Sequence, residues 1–421
     1  MRNRGPLGLG LVAAALVAAA TVGGPADQVV HDVAVLVDEI AAPTATGDAG
    51  ADSADGTAAG RAEIGGADRA PRRMSLVMGG DLLWHNTVWQ SAQVDATRTG
   101  RGYEGFDFDP MFAGLRSLVA RADVALCHEE VPFARPGQAL QSYPVFAAPR
   151  QVAPWLADFG FDACTTASNH AVDQGWEGLR YTATLLRRHG VMPIGTFRSA
   201  AERRRPVILA TDDDVRVGVV AGTYSLNGFL MPEGRPWAVS LWDADNLLTQ
   251  ARAARAAGAD IVVVHLHGGD EYQHLPNADQ VSLVRRLTRS PDVDLVLGDH
   301  AHVVQPVTRV NGTWVVYGMG NMVAQQEPSR PATYQGISVR FEFTERDPSR
   351  GGGFAVTRAA YIPTTWNLYG GSANPIRIVR INRALRAGWP DAAMRARLLA
   401  ARAAIRDAVD GLGRAPGLRE G

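Results

Sequence analysis

The chain has 421 residues, of which 46% are hydrophobic and 20% are charged, so it can build a sizeable core and is not disordered throughout. Its formal net charge is −1, which argues against a general nucleic-acid binder, because such proteins normally carry a basic excess. The 2 cysteines exclude a disulfide-rich scaffold and any multi-cysteine metal site.

Residues 1–28 are predicted to be a signal peptide or an N-terminal membrane anchor. Arg2 and Arg4 precede an apolar run over 7–24, and a positively charged end before such a run is typical of an export signal. The run is about as long as the shortest spanning helices, roughly 17–25 residues, so a cleaved signal and an uncleaved anchor both remain open. Either would place the rest of the chain outside the cytoplasm.

Residues 29–73 are predicted to be mainly a flexible linker. From residue 41 onwards they are almost all small or polar, and such a segment cannot bury enough apolar surface to offset its chain entropy. The main domain is expected over 74–370. A C-terminal helical extension is expected over 371–421, because residues 393–409 have apolar side chains at helical spacing.

Short apolar segments alternate with helical patterns after this linker. The predicted strands are 75–78, 123–126, 161–166, 260–264 and 293–297. Helical spacing is found over 111–121, 176–188, 242–256 and 279–289. Buried strands that alternate with helices of about 10–15 residues indicate an α/β fold whose sheet is covered on both sides.

Each of the five predicted strands runs into Asp, Glu, Asn or His. Because ligands of open α/β sheets bind at the carboxyl ends of strands, we expect these side chains to converge on one cleft. The candidate metal ligands are Asp81, Glu130, Asn169, His267, His300 and His302. These nitrogen and oxygen ligands suit Mn, Fe or Zn. A pair of such ions would activate water and polarise a phosphoryl or carbonyl oxygen, which leaves His170 as a general acid or as a group that stabilises the transition state.

Several of these residues also have simpler interpretations. Asp81 could cap the next helix, and His265 is a rival of His267, because it lies two residues earlier on the same strand face. We expect Cys127 and Cys164 to be buried thiols near the ends of neighbouring strands. A disulfide between them would need an oxidising compartment and closely spaced strands.

The order of the motifs resembles that of the CapA family of poly-γ-glutamate capsule synthesis, whose fold resembles calcineurin-like metallophosphatases. The motifs are Gly80-Asp81, Glu130-Val131-Pro132, 168–175, 267–272, 298–306 and 317–321. The resemblance implies a sandwich of β-sheets flanked by helices, with the active site at the strand C-terminal ends. It also implies the six ligands above, His170 as the catalytic residue, and Glu271, Gln280 and Asn321 as polar residues lining the site.

Two positions depart from the family pattern. His128 stands where the family usually has Asn, and could be an additional ligand. Gly268 stands where the family usually has Trp.

The resemblance implies a hydrolase with two divalent metal ions that acts in the biosynthesis of poly-γ-glutamate. The expected substrate is an extracellular anionic polymer or a small molecule, with no nucleic acid as partner. One alternative is a non-catalytic subunit of a membrane complex for polymer synthesis or export, with membrane synthase subunits as partners. The other is a secreted phosphoesterase.

Overall fold

The computed structural model describes residues 70–347, 352–388 and 391–421. The predicted signal or anchor and nearly all of the predicted linker lie outside these residues. Among the helices that are described, none is both long and apolar enough to cross a membrane.

The described residues form alternating strands and helices. The strands are β1 (Arg73–Leu82), β2 (Val124–Glu129), β3 (Ala163–Thr165), β4 (Met192–Ile194), β5 (Val207–Ala210), β6 (Arg216–Thr223), β7 (Ile261–His267), β8 (Leu295–Asp299), β9 (Val307–Val310), β10 (Thr313–Val316), β11 (Asn321–Val323), β12 (Gln335–Glu345), β13 (Phe354–Trp366), β14 (Ile378–Arg380) and β15 (Leu418–Glu420). The helices are α1 (Asn86–Thr99), α2 (Asp109–Val119), α3 (Val152–Phe159), α4 (Gly175–Arg188), α5 (Ala200–Arg203), α6 (Ala244–Ala256), α7 (Ala278–Thr288), α8 (Ile381–Ala387) and α9 (Ala392–Val409).

The strands form two sheets. The first has the order β14-β13-β12-β1-β2-β3-β4, with β11 paired to β1 and β15 paired to β13. The second has the order β5-β6-β7-β8-β10-β9. Within the first sheet β1 to β4 are parallel, and within the second β6, β7 and β8 are parallel, so the carboxyl ends of each parallel set lie at one edge.

The alternation of side chains along β2 explains how the layers pack. Leu126 belongs to the buried cluster that also holds Val263 of β7 and Leu297 of β8, and this cluster joins the two sheets. Its neighbour Cys127 belongs to a second cluster, which holds Phe112 of α2 and other residues of the flanking helices. Successive residues of a strand point to opposite faces, so the first sheet has a buried surface on each side.

All five predicted strands and all four predicted helices between them are confirmed. The five strands are divided between two sheets, because the segments at 260–264 and 293–297 belong to the second sheet. A continuous apolar run indicates that both faces of a strand are buried, but it does not indicate what covers them. The sandwich of β-sheets flanked by helices, implied by the resemblance, is confirmed.

The C-terminal segment packs against the first sheet. The helix predicted at 393–409 is confirmed as α9. The predicted extension also contributes β14 and β15, which both pair with β13. At the end of β15, the Glu420 carboxylate accepts hydrogen bonds from Asn382 at 2.9 Å, from Arg406 at 2.8 Å and from Arg402.

Glu420 leads to a prediction about the pH dependence of stability. Burial opposes its ionisation, but the hydrogen bonds from Arg402, Asn382 and Arg406 outweigh this effect and lower the pKa of Glu420 to about 2. A depressed folded-state pKa stabilises the fold above the ordinary value of 4.5, and this contribution disappears as the pH falls towards the folded-state pKa. Glu420→Gln should therefore lower the free energy of unfolding at pH 7 by about 1 kcal/mol, the upper end for solvent-screened ion pairs.

Urea unfolding of both proteins at several pH values tests this prediction. The difference between them should shrink steadily as the pH falls below 4.5, the ordinary pKa of the carboxyl group. A difference that stays constant down to strongly acidic pH would contradict an electrostatic role for Glu420.

Cys127 and Cys164 form a disulfide, so the expectation of two buried thiols is wrong. The two residues face each other in register across β2 and β3, with Cα atoms 4.4 Å apart. This separation is within the range that a disulfide can bridge. The sequence places both cysteines near strand ends but does not determine that the two strands are neighbours in register.

Loss of the disulfide should destabilise the fold. The bond joins residues 37 positions apart, and closing a loop of that length in the unfolded chain corresponds to about 2–4 kcal/mol. Thermal unfolding of the Cys127→Ala/Cys164→Ala variant should show this loss. The reduced wild-type protein should match the variant, and the variant should not respond to reductant. An unchanged stability in the variant would show that the bond does not constrain the chain.

Candidate metal centre

The ends of strands from both sheets meet at one edge of the sandwich. The residues there are Asp81 in β1, His128 in β2, Glu130 directly after β2, Asn169 after β3, His267 at the end of β7, and His300 and His302 after β8. The rings of His128 and His267, which come from different sheets, are 4.6 Å apart between centroids. The structure therefore brings all six predicted ligands, and His128, to the same edge.

The first group of potential ligands is Asp81, His128 and His267. Their ligand atoms lie within 4.8 Å of one another. Nε2 of His128 and Nδ1 of His267 lie 3.7 Å and 3.8 Å from Oδ1 of Asp81. All three side chains are fully buried. His128, which the sequence indicated as a possible additional ligand, thus lies in one of the two groups of potential ligands.

The second group is Glu130, His300 and His302. Their ligand atoms also lie within 4.8 Å of one another, and Nε2 of His302 is 3.7 Å from Oε1 of Glu130. These side chains are buried as well. Each group offers a carboxylate and two imidazoles, the ligand types that Zn, Mn and Fe accept.

Asp81 lies between the two groups. Its Oδ1 faces His128 and His267, whereas its Oδ2 is 3.2 Å from Nδ1 of His302 and accepts the backbone N–H of His300 at 3.4 Å. The groups are therefore adjacent, and one carboxylate contacts both. Asp81 does not cap the next helix, because the N-cap of α1 is His85.

Unpaired polar atoms test whether these residues fit a metal. Within the described residues, six buried atoms of the two groups have no hydrogen-bond partner: Oδ1 of Asp81, Nε2 of His128, Oε1 and Oε2 of Glu130, and Nδ1 of His267 and His300. Each buried unpaired polar group costs about 1–3 kcal/mol, so such atoms are normally rare and scattered. Their concentration at one point fits divalent metal ions as the missing partners.

Neighbouring side chains orient the ligand histidines through their other ring nitrogen. Nδ1 of His128 is 2.8 Å from Oγ1 of Thr165, and Nδ1 of His302 is 2.9 Å from Oδ1 of Asn321. Asn321 is itself held, because its Nδ2 donates to the carbonyl oxygen of Thr333 at 2.9 Å. Such contacts fix the tautomer and direct the remaining nitrogen at the metal.

Burial sets the charge state of most of these imidazoles. It lowers the pKa of His128 to about 3 and lowers the pKa of His267 and His300 well below the ordinary value, so these rings are neutral, as metal ligands must be. His302 is the exception. Burial opposes its charge, but the carboxylates of Glu130 and Asp81 outweigh burial and raise its pKa to about 10. The two carboxylates therefore favour a positive charge on or beside the His302 ring.

The backbone at His300 and His302 adopts unusual conformations. Their φ angles are +99° and +54°, in a region that residues with a Cβ rarely adopt. Such conformations persist where the surrounding structure enforces them and are concentrated at functional sites. At Gly80, just before Asp81, an added Cβ would lie 1.9 Å from the carbonyl oxygen of Gly320, so only glycine allows this close approach.

Asn169 and His170 adjoin the first group. Oδ1 of Asn169 is 2.7 Å from Nε2 of His267. Nδ1 of His170 is 2.8 Å from Oδ2 of Asp173, and the His170 ring packs edge-on against Phe146 at 4.9 Å between centroids. Asp173 was not among the predicted site residues. Its position three residues after His170, in the same turn, is the signal that could have indicated it.

Other predicted residues lie around the groups in different roles. Nε2 of His265 is 3.0 Å from Oδ2 of Asp299, and His265 is in neither group. Gln280 does not line the cleft, because it completes the capping box of α7 with Asn277 and donates to Gln305 at 2.9 Å. The resemblance could not distinguish a polar side chain that lines the cleft from one that supports the fold nearby.

The space beside Gly268 is filled by a tryptophan from another segment. A Cβ at Gly268 would lie 2.3 Å from Cζ3 of Trp242. The departure from the family pattern at this position is therefore accompanied by an aromatic ring that packs where a side chain at Gly268 would begin.

A cleft of about 470 Å³ opens at the second ligand group. His302 and His170 line it, together with Glu271, His85 and Arg330. Its size is within the range of small-molecule sites, about 300–1,000 Å³. Glu271 thus has the cleft-lining position that the resemblance implied for it.

The fold and the site define an α/β sandwich with a candidate metal centre at its strand ends. The chain belongs to a bacterial capsule synthesis family, because the model described as "Bacterial capsule synthesis protein PGA_cap" matches residues 75–326. The resemblance to the CapA family is thereby confirmed.

Individual relatives carry related names. The "PGA biosynthesis protein CapA" of Bacillus subtilis is 29% identical over 172 residues, covering 41% of this chain and 44% of the relative. The "Capsule biosynthesis protein CapA" of Bacillus anthracis is 26% identical, covering 41% and 42%. A "Probable polyglutamine synthesis accessory protein" of Mycobacterium tuberculosis is 25% identical, covering 49% and 56%. The chain thus spans about half the length of these relatives.

Solved structures resemble the fold at a distance. A calcineurin-like phosphoesterase from Bacillus subtilis aligns with a TM-score of 0.42 and 15% identity, over 70% of this chain and 91% of that one. An NAD nucleotidase from Haemophilus influenzae aligns with a TM-score of 0.40 and 12% identity, over 71% and 53%. Likenesses of this size carry no inference about the reaction.

Proposed function

We propose that the chain is a metal-dependent hydrolase that acts in the biosynthesis of a poly-γ-glutamate-type polymer outside the cytoplasm. The observation that carries this proposal is the pair of adjacent ligand groups beside an open cleft. The identity of the polymer is proposed from the names of the relatives. The expected substrate is this anionic polymer or a small molecule related to it.

The residues of the site have separate tasks in this proposal. Asp81, His128, His267 and Asn169 would hold one divalent ion, and Glu130, His300 and His302 would hold a second. Ions bound there would activate water and polarise a carbonyl or phosphoryl oxygen.

His170 would carry a proton between the cleft and the reacting group. Its Nδ1 faces the Asp173 carboxylate at 2.8 Å, which fixes the ring and leaves Nε2 to serve the substrate.

Two features support a location outside the cytoplasm. The Cys127–Cys164 disulfide would persist in an oxidising compartment and be rare in a reducing one. The apolar run at 7–24 after Arg2 and Arg4 has the pattern of an export signal or anchor. Membrane synthase subunits are the partners that such an anchor would favour.

Metal analysis joined to a substrate panel tests the proposed function. The purified protein should contain Mn, Fe or Zn in stoichiometric amount and cleave either a γ-glutamyl oligomer or a phosphodiester. Glu130→Gln should lose both metal and turnover. Glu327→Gln, which neutralises an exposed carboxylate lining the same cleft, should retain metal. Wild-type protein without a stoichiometric transition metal would overturn the proposal.

A second candidate is a non-catalytic subunit of a polymer-synthesis or export complex. The word "accessory" in the name of the Mycobacterium relative favours it. A His170→Ala variant that fully supports polymer production in cells would support this role over the enzyme. Turnover limited to phosphodiesters and lost in His300→Ala would instead indicate a secreted phosphoesterase.

A further inference from the structure

His85 lines the cleft but belongs to neither ligand group. It directly precedes α1, and its carbonyl oxygen accepts the backbone N–H of Val88 at 2.9 Å and of Trp89 at 3.3 Å. Its side chain is buried, and its ring packs edge-on against Phe146 at 5.4 Å between centroids. The start of the helix and the aromatic contact therefore hold the ring in one position at the cleft wall.

The hydrogen bonds of His85 determine which ring nitrogen carries the proton. The backbone N–H of Gln325 donates to Nδ1 at 3.2 Å, so Nδ1 must be the unprotonated nitrogen. A neutral imidazole carries one N–H, which must then be on Nε2. Within the described parts of the chain, Nε2 is not among the unpaired polar atoms sealed from solvent. A hydrogen bond between the ring and the backbone of Leu83 raises the pKa of His85, but burial outweighs it.

The ring is neutral under ordinary conditions. Burial, and then the proximity of His302, lower the pKa of His85 to about 4. A second proton on Nδ1 would also displace the hydrogen bond from Gln325. The neutral form with the proton on Nε2 is therefore the form that faces the cleft.

We propose that Nε2–H of His85 donates a hydrogen bond to a carbonyl, carboxylate or phosphoryl oxygen of the substrate. The inference rests on the proposed function, since it names a substrate contact in the same cleft.

His170 has the complementary arrangement. It packs on the same Phe146 ring, but its Nδ1 faces the Asp173 carboxylate. Its Nε2, which lies 3.5 Å from Nδ2 of Asn227, is therefore the nitrogen that can accept or deliver a proton. The two histidines thus supply a fixed donor and a proton-transfer group beside one substrate.

Two substitutions separate this role from a purely structural one. In His85→Asn, the side-chain oxygen can replace Nδ1 and accept the Gln325 N–H, but no donor reaches the position of Nε2. In His85→Gln, the terminal amide can place an N–H near the position of Nε2, but the acceptor for Gln325 is lost. A structural role predicts that the Asn variant works better, and a substrate contact predicts that the Gln variant does.

Binding of inorganic phosphate to the metal-loaded full chain measures the contact without requiring turnover. By isothermal titration calorimetry, His85→Asn should bind phosphate roughly tenfold more weakly than wild type, the effect of losing one hydrogen bond. His85→Gln should stay close to wild type. Metal content should be the same in all three proteins, and kcat/KM on the cleaved substrate should follow the same order.

Different results would refute the proposed function and the proposed role of His85. Metal-loaded wild-type protein that binds phosphate but cleaves neither substrate class would refute the proposed function and leave the His85 comparison intact. Equal phosphate affinity in wild type and His85→Asn, weaker binding by His85→Gln than by His85→Asn, or no phosphate binding by wild type would each overturn the role of His85.

Discussion

Asp81→Asn should lower the metal content of the purified protein and reduce substrate turnover by at least about 100-fold. Changing a residue that only orients a metal ligand already costs up to about 100-fold, and Asp81 is a candidate ligand itself. The substitution keeps the size of the side chain and removes its charge. Elemental analysis and kcat/KM on the substrate that the wild type cleaves are the measurements.

The position of Asp81 explains why we expect this large effect. One carboxylate oxygen faces His128 and His267, and the other contacts His302 and the backbone N–H of His300. An asparagine offers only one oxygen, and its amide N–H groups would point at ligand nitrogens. Both ligand groups should therefore be weakened by a single change.

A matched variant separates this effect from a general loss of acidic charge. Asp213→Asn makes the same replacement at an exposed position and should leave metal content and turnover unchanged. If Asp81→Asn retains wild-type metal and activity, Asp81 does not connect two ions, and the assignment of the ligand groups must be revised.

The sequence predicted where the candidate ligands come together, because their placement depends on chain order within each parallel unit. Apolar segments that end in Asp81, His267 or His300 predict strands, and in parallel strands these ends lie at the same edge of a sheet. The rule requires no knowledge of which strands are neighbours. It therefore held although the five strands are divided between two sheets.

Features that depend on neighbours across the chain could not be predicted in this way. The disulfide requires Cys127 and Cys164 to be in register, and the ligand position of His128 requires β2 to lie opposite β7. Gln280 illustrates the opposite error, because its position after Asn277 is also a helix capping motif, and that local role is the one the structure has. Tertiary packing decides which strands are neighbours and which sheets face each other, and these contacts cannot be read from a single sequence.

His170→Asn should reduce turnover by about 10²–10⁴-fold, the usual contribution of a general acid or base, while metal content stays at the wild-type level. The asparagine can still reach Asp173 from the position of Nδ1, so the local turn should be preserved. The combination of normal metal content and strongly reduced kcat distinguishes this variant from Asp81→Asn, which should lose both.

Asp173→Asn should have a smaller effect than His170→Asn if the carboxylate acts only through the histidine. Asp173 also accepts the backbone N–H of Phe146 at 2.7 Å, and an asparagine oxygen can keep that contact while the charge beside His170 is removed. The His170→Asn/Asp173→Asn double variant should then be no slower than His170→Asn alone, because the carboxylate has no histidine left to assist. His189→Asn, at an exposed histidine that ends α4, should match the wild type. A double variant much slower than either single variant would mean that Asp173 acts on the substrate independently of His170.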